Sequence, residues 1–196
     1  QQRSARGQQA ATAAEIDSVA GEFVPVRPAV EDVPAERVGP GHVRIRTEAV
    51  ALNFLDTLII RGKYQERPSF PFSPGAEFAG TVVELGEDVR DLEVGQRIAG
   101  QVLHGACRDE LVVPRGNVVP VADDIPSTVA AGILVACGTA MHALRQRARI
   151  QPGETLAVLG ASGGAGLAAV QVGRLLGARV IACASSDEKL ALAREH

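Results

Sequence analysis

The run Gly160-Ala161-Ser162-Gly163-Gly164-Ala165-Gly166 carries the densest chemical signal in the chain. Glycines let backbone N–H groups approach an anion because no Cβ stands in the way. At a helix N-terminus the peptide dipoles also favour negative charge. A pyrophosphate is the ligand such a turn suits. Gly163 and Gly166 keep the second and third spacings of the dinucleotide pattern G-x-G-x-x-G, and Ala161 stands where its first glycine would be. The same glycines could serve a plain tight turn, so their neighbours must decide.

Further along, Cys183-Ala184-Ser185-Ser186-Asp187-Glu188-Lys189 bears on which dinucleotide is taken. An NAD site places Asp or Glu about 20 residues after the glycines, on the ribose hydroxyls. Here the tip carries Ala184, Ser185 and Ser186, and the acids follow where the first turn of a helix would hold them. Hydroxyls and Lys189 tolerate a 2′-phosphate, which a carboxylate at the tip would repel. NADPH is therefore the cofactor expected, in preference to NADH. In the plainer alternative Ser186 only caps a helix and Lys189 is a solvated helix residue.

These residues need two strands and a helix to hold them. Leu156-Ala157-Val158-Leu159 runs into the glycines, a helix-compatible stretch extends from Leu167 to Leu176, and Val180 to Ala184 forms a second apolar run. Continuous apolar runs joined by a helical crossover are the pattern of buried parallel strands. Gly177 falls where a left-handed helix C-cap is wanted. A doubly wound sheet needs about five or six strands, and only two are legible. The chain reaches His196 within the following helix. The nucleotide half is accordingly expected to be incomplete, with Leu156, Val158, Val180 and Ile181 lacking cover.

Upstream, from Glu22 to Pro120, the texture changes to short alternating runs punctuated by Gly and Pro. Examples are His42–Arg46, Gly80–Gly86, Arg97–Gly100 and Glu110–Pro114. That spacing predicts a small barrel or sandwich. Pro126-Ser127-Thr128 opens an apolar helix leading toward the nucleotide half. Residues 1–20 are read as a disordered segment, tag, linker or transit remnant; the first fourteen are rich in Gln and Ala, carry Arg and hold no acid. The expected divisions are residues 1–20, a β-rich domain over 21–126, and the start of a dinucleotide domain over 127–196.

Composition excludes some functions. A net charge of −3 over 196 residues, 46% of them hydrophobic, makes no case for nucleic acid or membrane binding. Cys107, Cys137 and Cys183 show neither C-x-x-C pairing nor His at metal spacing, which favours a reducing compartment.

The order of motifs resembles the medium-chain dehydrogenase/reductase superfamily, from about Pro40 onward. The motifs are Asn53-Phe54-Leu55-Asp56, Arg61-Gly62-Lys63-Tyr64, Pro74-Gly75-Ala76-Glu77-Phe78-Ala79-Gly80, Val94-Gly95-Gln96-Arg97-Ile98, Cys137-Gly138-Thr139-Ala140 and Gln151-Pro152-Gly153-Glu154. Within it the chain most resembles the zinc-independent NADPH:quinone oxidoreductase branch. The resemblance implies an α/β plus β fold: a GroES-like β-rich N-terminal domain followed by the first part of a Rossmann domain. Zinc-dependent relatives carry Cys, His and Cys where this chain has Asn53, Ala76 and Val135, and those three cannot supply a catalytic zinc set. No metal is expected.

By resemblance, Asn53, Asp56 and Tyr64 line the cleft near the nicotinamide, and Thr139 lies close to its ribose. Hydrogen-bond donors there would orient the ring and the acceptor carbonyl. On their residue types alone, Asn53 and Asp56 could equally be a turn or helix cap, and Tyr64 could simply pack with Phe70 and Phe72. Glu110, Cys137 and His142 depart from residues usual in the branch, which bears on substrate shape.

The activity implied is hydride transfer from NADPH to a quinone or another conjugated carbonyl. Alternatives are a 2-enoyl-thioester reductase, free or within a megasynthase, and a non-catalytic NADPH-binding structural or regulatory protein. The resemblance further implies a homodimer in the cytoplasm, or in mitochondria if residues 1–14 are a transit remnant.

Overall fold

The computed structural model describes residues 9–15 and 27–196, in two compact units that divide after Gly132. In the first unit, strands β1 (Gln9–Glu15) and β2 (Arg27–Val33) form an antiparallel pair. Residues 1–20 are thus not wholly outside the fold: Gln9–Glu15 is a strand, and the remainder lies outside the described residues. Its Ala- and Thr-containing sequence has no apolar alternation to announce it.

The main sheet has five antiparallel strands in the order β6-β3-β4-β5-β7. They are β3 (His42–Ala51), β4 (Glu77–Leu85), β5 (Arg97–Gln101), β6 (Glu110–Pro114) and β7 (Val118–Pro120). Alternation along β3 buries Val43 and Ile45, which join Phe78, Val82, Ile98, Leu111 and Val113 in one core. Each such side chain, taken fully from water, contributes about 1.5–3 kcal/mol before entropy is charged against it.

Two glycines make this sheet possible. A Cβ at Gly80 would lie 2.1 Å from the Arg46 carbonyl oxygen, at the bulged crossing of β3 and β4. One at Gly100 would sit 2.3 Å from the Phe78 ring, which covers that glycine from its cross-strand partner position.

Helices α1 (Phe54–Ile60) and α2 (Ser127–Ala130) complete the first unit. The boundary therefore falls six residues later than the sequence suggests. Arg97 explains it: its guanidinium donates to the carbonyls of Ala122, Asp123 and Ile125 and to Ser127 Oγ. Ser127 Oγ in turn donates to Glu48 on β3. The short helix is fastened to the β-rich sheet.

The second unit opens with α3 (Ala136–Met141), which widens into a π turn over His142–Arg147. Strand β8 (Thr155–Leu159), helix α4 (Gly164–Leu175) and strand β9 (Arg179–Cys183) form a βαβ unit with the strands parallel in register, and α5 (Asp187–Arg194) follows. Gly177, at φ +81°, terminates α4. Ala178 N–H donates to Gly173 O at 3.0 Å and Gly177 N–H to Arg174 O at 2.9 Å, the paired bonds of a Schellman cap.

One sheet face is covered. Leu156, Val158, Val180 and Ala182 pack with Val170, Leu167 and Ala193 of the two helices. The opposite face is open, with Leu159 82% and Ile181 44% accessible. The expected lack of cover thus holds for Ile181 and not for Leu156, Val158 or Val180, because α4 and α5 already lie on their side. No helix among the described residues is long and apolar enough to cross a membrane.

Candidate active site and nucleotide cleft

In the first unit the candidate residues gather where β3 hands over to α1. Asn53 is the helix N-cap, in extended conformation. Its backbone N–H donates to Asp56 Oδ2 at 2.7 Å, and Gly75 N–H donates to Asp56 Oδ1 at 3.1 Å. Both oxygens of this carboxylate, 3% accessible, are thus engaged by backbone amides. Asn53 Nδ2 donates to Glu77 Oε1 at 2.8 Å, and Glu77 is itself 1% accessible.

Asp56 takes the capping alternative that its residue type left open: it caps a helix and pins the Gly75 turn, each oxygen accepting from one backbone amide. Glu77, quoted in the sequence only as part of a motif, emerges as the partner of Asn53. A lone acid in a strand ordinarily reads as a solvent-facing residue, so only the pairing across the sheet reveals it.

The same turn explains why position 75 is glycine. With φ at +94°, a Cβ there would lie 3.0 Å from Cys107 N, Cys107 Sγ and Val50 Cγ1. Burial, and then the nearby Asp56 charge, push the Cys107 thiol above its ordinary pKa. That makes it a poor nucleophile.

Tyr64, half-buried after α1, behaves differently. Phe72 meets Phe70 at 4.9 Å and His104 at 5.7 Å between ring centres, and Tyr64 joins neither pair. Among the described residues its phenol has no hydrogen-bond partner. Its phenol is an uncommitted donor in this half, and its ring forms no aromatic pair with Phe70 or Phe72.

Asn53 Nδ2 is bonded to Glu77, and Ala76, 1% accessible, offers only a methyl group. Among the described residues no three His, Cys, Asp or Glu side chains converge on a metal-sized point.

In the second unit β8 runs into the glycine turn. Gly160 takes φ +68° and makes the tight turn, one residue before the position the fingerprint assigns to it. Ala161 is wholly buried beneath the loop, and its N–H donates to Cys183 O at 3.0 Å. Its side chain and amide are therefore both unavailable to a phosphate, a correction to its expected role.

Gly166 is required for close packing: a Cβ there would stand 2.2 Å from Gly160 O and 2.8 Å from Ala161 Cα. Gly163 caps α4 with its N–H turned to Gly160 O at 3.0 Å. This leaves the first-turn amides of Gly164, Ala165 and Gly166 without carbonyls behind them, at the positive end of a 12-residue helix. No Cβ at Gly164 would meet anything within 4 Å. The arrangement fits a pyrophosphate.

Beside the turn lies a cleft of about 330 Å³ lined by Gly160, Ser162, Cys183, Ala184, Ser185 and Lys189. Lys189 Nζ donates to Ser185 Oγ at 3.1 Å and forms no salt bridge among the described residues. Ser186 accepts from Lys189 N–H at 3.4 Å as the N-cap of α5. The capping reading is thus correct for Ser186. Ser185 and Lys189 instead present a hydroxyl and an unneutralised ammonium to the cleft. Cys183 and Ala184, in the sequence merely the end of an apolar run, complete its wall. Thr139 is exposed on α3 and lines no part of this cleft.

Comparison with known proteins agrees with this geometry. Residues 39–112 match the alcohol dehydrogenase GroES-like domain. Quinone oxidoreductase-like protein 2 of Rattus norvegicus is 38% identical over 167 residues, covering 85% of this chain and 48% of the relative. The chain spans about half the length of the curated relatives it matches. The quinone oxidoreductase of Thermus thermophilus, whose structures include a complex with NADPH, is 36% identical with a TM-score of 0.78 over 95% of this chain and 57% of that one. The CurK enoyl reductase is 26% identical, with a TM-score of 0.82 over 96% of this chain and 57% of its own. With a GroES-like sheet in the first unit and a glycine-turn βαβ in the second, the chain belongs to the medium-chain dehydrogenase/reductase superfamily.

Proposed function

We propose that the protein carrying this chain is a zinc-free, NADPH-dependent oxidoreductase that reduces a quinone or another conjugated carbonyl. The observation that carries the reading is the strand-tip cleft, where Lys189 and Ser185 stand beside the glycine turn with no carboxylate in the lining. An adenosine ribose bearing a 2′-phosphate finds a cation and a hydroxyl there, whereas a bare ribose finds no acid to accept from its hydroxyls.

The nicotinamide cofactor, when bound, supplies the hydride. This chain's residues bind and orient. The amides of Gly164, Ala165 and Gly166 face the pyrophosphate, and Lys189 holds the 2′-phosphate. Tyr64 offers its phenol O–H to the carbonyl oxygen of the electron acceptor, on which negative charge develops. Asn53, held at the α1 N-cap, shapes the same region.

Titration of the full-length protein with NADPH and NADH tests this. NADPH should bind at least about tenfold tighter, the worth of one charge-assisted contact. Equal affinities would refute the cofactor assignment. A second reading, reduction of a 2-enoyl thioester, is supported by the likeness to the CurK enoyl reductase. It shares every residue role above except the identity of the carbonyl.

A further inference from the structure

Two helical segments of the second unit end in the same way but use different residues to do it. Helix α4 closes on Gly177 at φ +81°. The π turn over His142–Arg147 closes on Arg149, at φ +55° the one non-glycine residue in the left-handed region among the described residues. Ala148 N–H donates to Ala143 O at 2.8 Å, and Ile150 N–H reaches back to Leu144 O at 3.0 Å. Glycine ordinarily fills such a helix-ending position, because a side chain is strained there. A strained residue that persists points to a use for its side chain.

Arg149 lines a groove of about 720 Å³ with Arg145, Ile150, Pro152, Leu175 and Leu176, and no acid is in the lining. Both arginines are exposed and form no salt bridge among the described residues. Like charges four residues apart repel, and an anion between them removes the cost. Capping the helix end does not account for the pair, since the Ala143 and Leu144 carbonyls already have backbone donors. Leu175, in the same lining, is 81% accessible. The second unit carries seven Arg and Lys against four Asp and Glu, a net +3 within a chain of net −3.

This groove is separate from the nucleotide cleft. The two share no residue, and they lie at opposite ends of β8, which Pro152 precedes and the glycine turn follows. Its volume is that of a small-molecule site, roughly 300–1,000 Å³. Guanidinium forks match the paired oxygens of carboxylate and phosphate, and aliphatic side chains beside them suit an apolar chain. We propose that the groove binds an amphipathic anion, a carboxylate or phosphate head on an aliphatic chain. Arg145 and Arg149 take the head; Ile150, Leu175 and Leu176 take the chain. The site stands independently of the oxidoreductase reading.

Calorimetric titration of the full-length protein with decanoate, decyl phosphate, decanol and inorganic phosphate tests this. Both amphipathic anions should bind, and the tighter of them names the head. Decanol should be weaker by about tenfold or more, for want of a charge-assisted contact. Inorganic phosphate should be weaker by a similar factor, which two buried CH₂ groups already supply. Arg149→Gly removes the guanidinium and relieves the left-handed strain. Affinity for the anions should therefore fall about tenfold while the melting temperature rises. Arg145→Ala should lower affinity by a similar factor.

Decanol binding as tight as the anions, undiminished affinity in Arg149→Gly, or no affinity for either anion overturns the proposal. So does a lower melting temperature in Arg149→Gly, which would make the arginine a structural part of the helix end. Displacement of the anion by NADPH would place it in the nucleotide cleft and overturn the separate site. Retention on phosphatidylglycerol vesicles without affinity for the soluble anions would assign the arginines to a membrane surface, and overturns it too.

Discussion

Replacing Lys189 with Ala removes the one cation of the strand-tip cleft and should separate the two nicotinamide cofactors. The side chain is exposed, its ammonium 3.1 Å from Ser185 Oγ, and no acid among the described residues neutralises it. A charge-assisted hydrogen bond is worth about 1.5–3 kcal/mol. Because Lys189 is open to water, the lower end applies, which corresponds to roughly a tenfold loss of NADPH affinity. NADH lacks the 2′-phosphate and should change by less than about twofold on the same reasoning. Screening adds a second signature. The Debye length shortens from about 30 Å at 0.01 M salt to about 8 Å at 0.15 M, so the parent's preference for NADPH should shrink with salt while the variant's stays flat. Fluorescence titration of the full-length protein at two salt concentrations measures both. If Lys189→Ala weakens NADPH and NADH equally, the lysine does not read the phosphate and the cleft has been misassigned.

Three further outcomes follow from the geometry. Gly166→Ala sets a methyl group 2.2 Å from Gly160 O, so it should abolish binding of both cofactors and lower the melting temperature; intact binding would show that the loop is not the pyrophosphate seat. Tyr64→Phe should lower kcat by about ten- to a hundredfold, the loss of a hydrogen bond to developing charge, with cofactor affinity unchanged; an unchanged kcat removes Tyr64 from the chemistry. Hydrogen bonds from Ser127 and then Thr81 hold the Glu48 carboxyl below its ordinary 4.5. A depressed folded-state pKa stabilises above the unfolded value and is lost as pH falls through the folded one. The melting-temperature advantage of the parent over Glu48→Ala should therefore be present at neutral pH and shrink below about pH 4.5. An advantage that widens on acidification would contradict this.

Much of the scaffold was readable because its signals are local. Continuous apolar runs marked β8 and β9, and Gly177 marked the end of α4, since those constraints act within a few residues. The stretch Glu110–Pro114 is a strand to the residue. The misses are non-local. Ala161 resembles a substituted glycine until the core beneath the loop is seen to need its methyl group. The tight turn at Gly160 sits one residue early because β8 ends there. Asp56 and Asn53 carry residue types that suit catalysis and helix capping alike, and only Gly75 and Glu77, brought in from the next strand and its approach, separate the two. The anchoring of α2 likewise depends on Arg97 reaching residues 25 to 30 positions away.

The central claim, reduction of a conjugated carbonyl by NADPH without zinc, is tested most directly by following NADPH absorbance in the full-length protein treated with a chelator. The arms are a set of quinones, a 2-enoyl thioester, and no acceptor. Quinone-dependent loss of NADPH, unaffected by the chelator and slower with NADH, is the predicted result. Loss with the thioester alone would move the activity to enoyl reduction. Tight NADPH binding with no oxidation in any arm would contradict the account and leave a protein that binds the cofactor without turning it over.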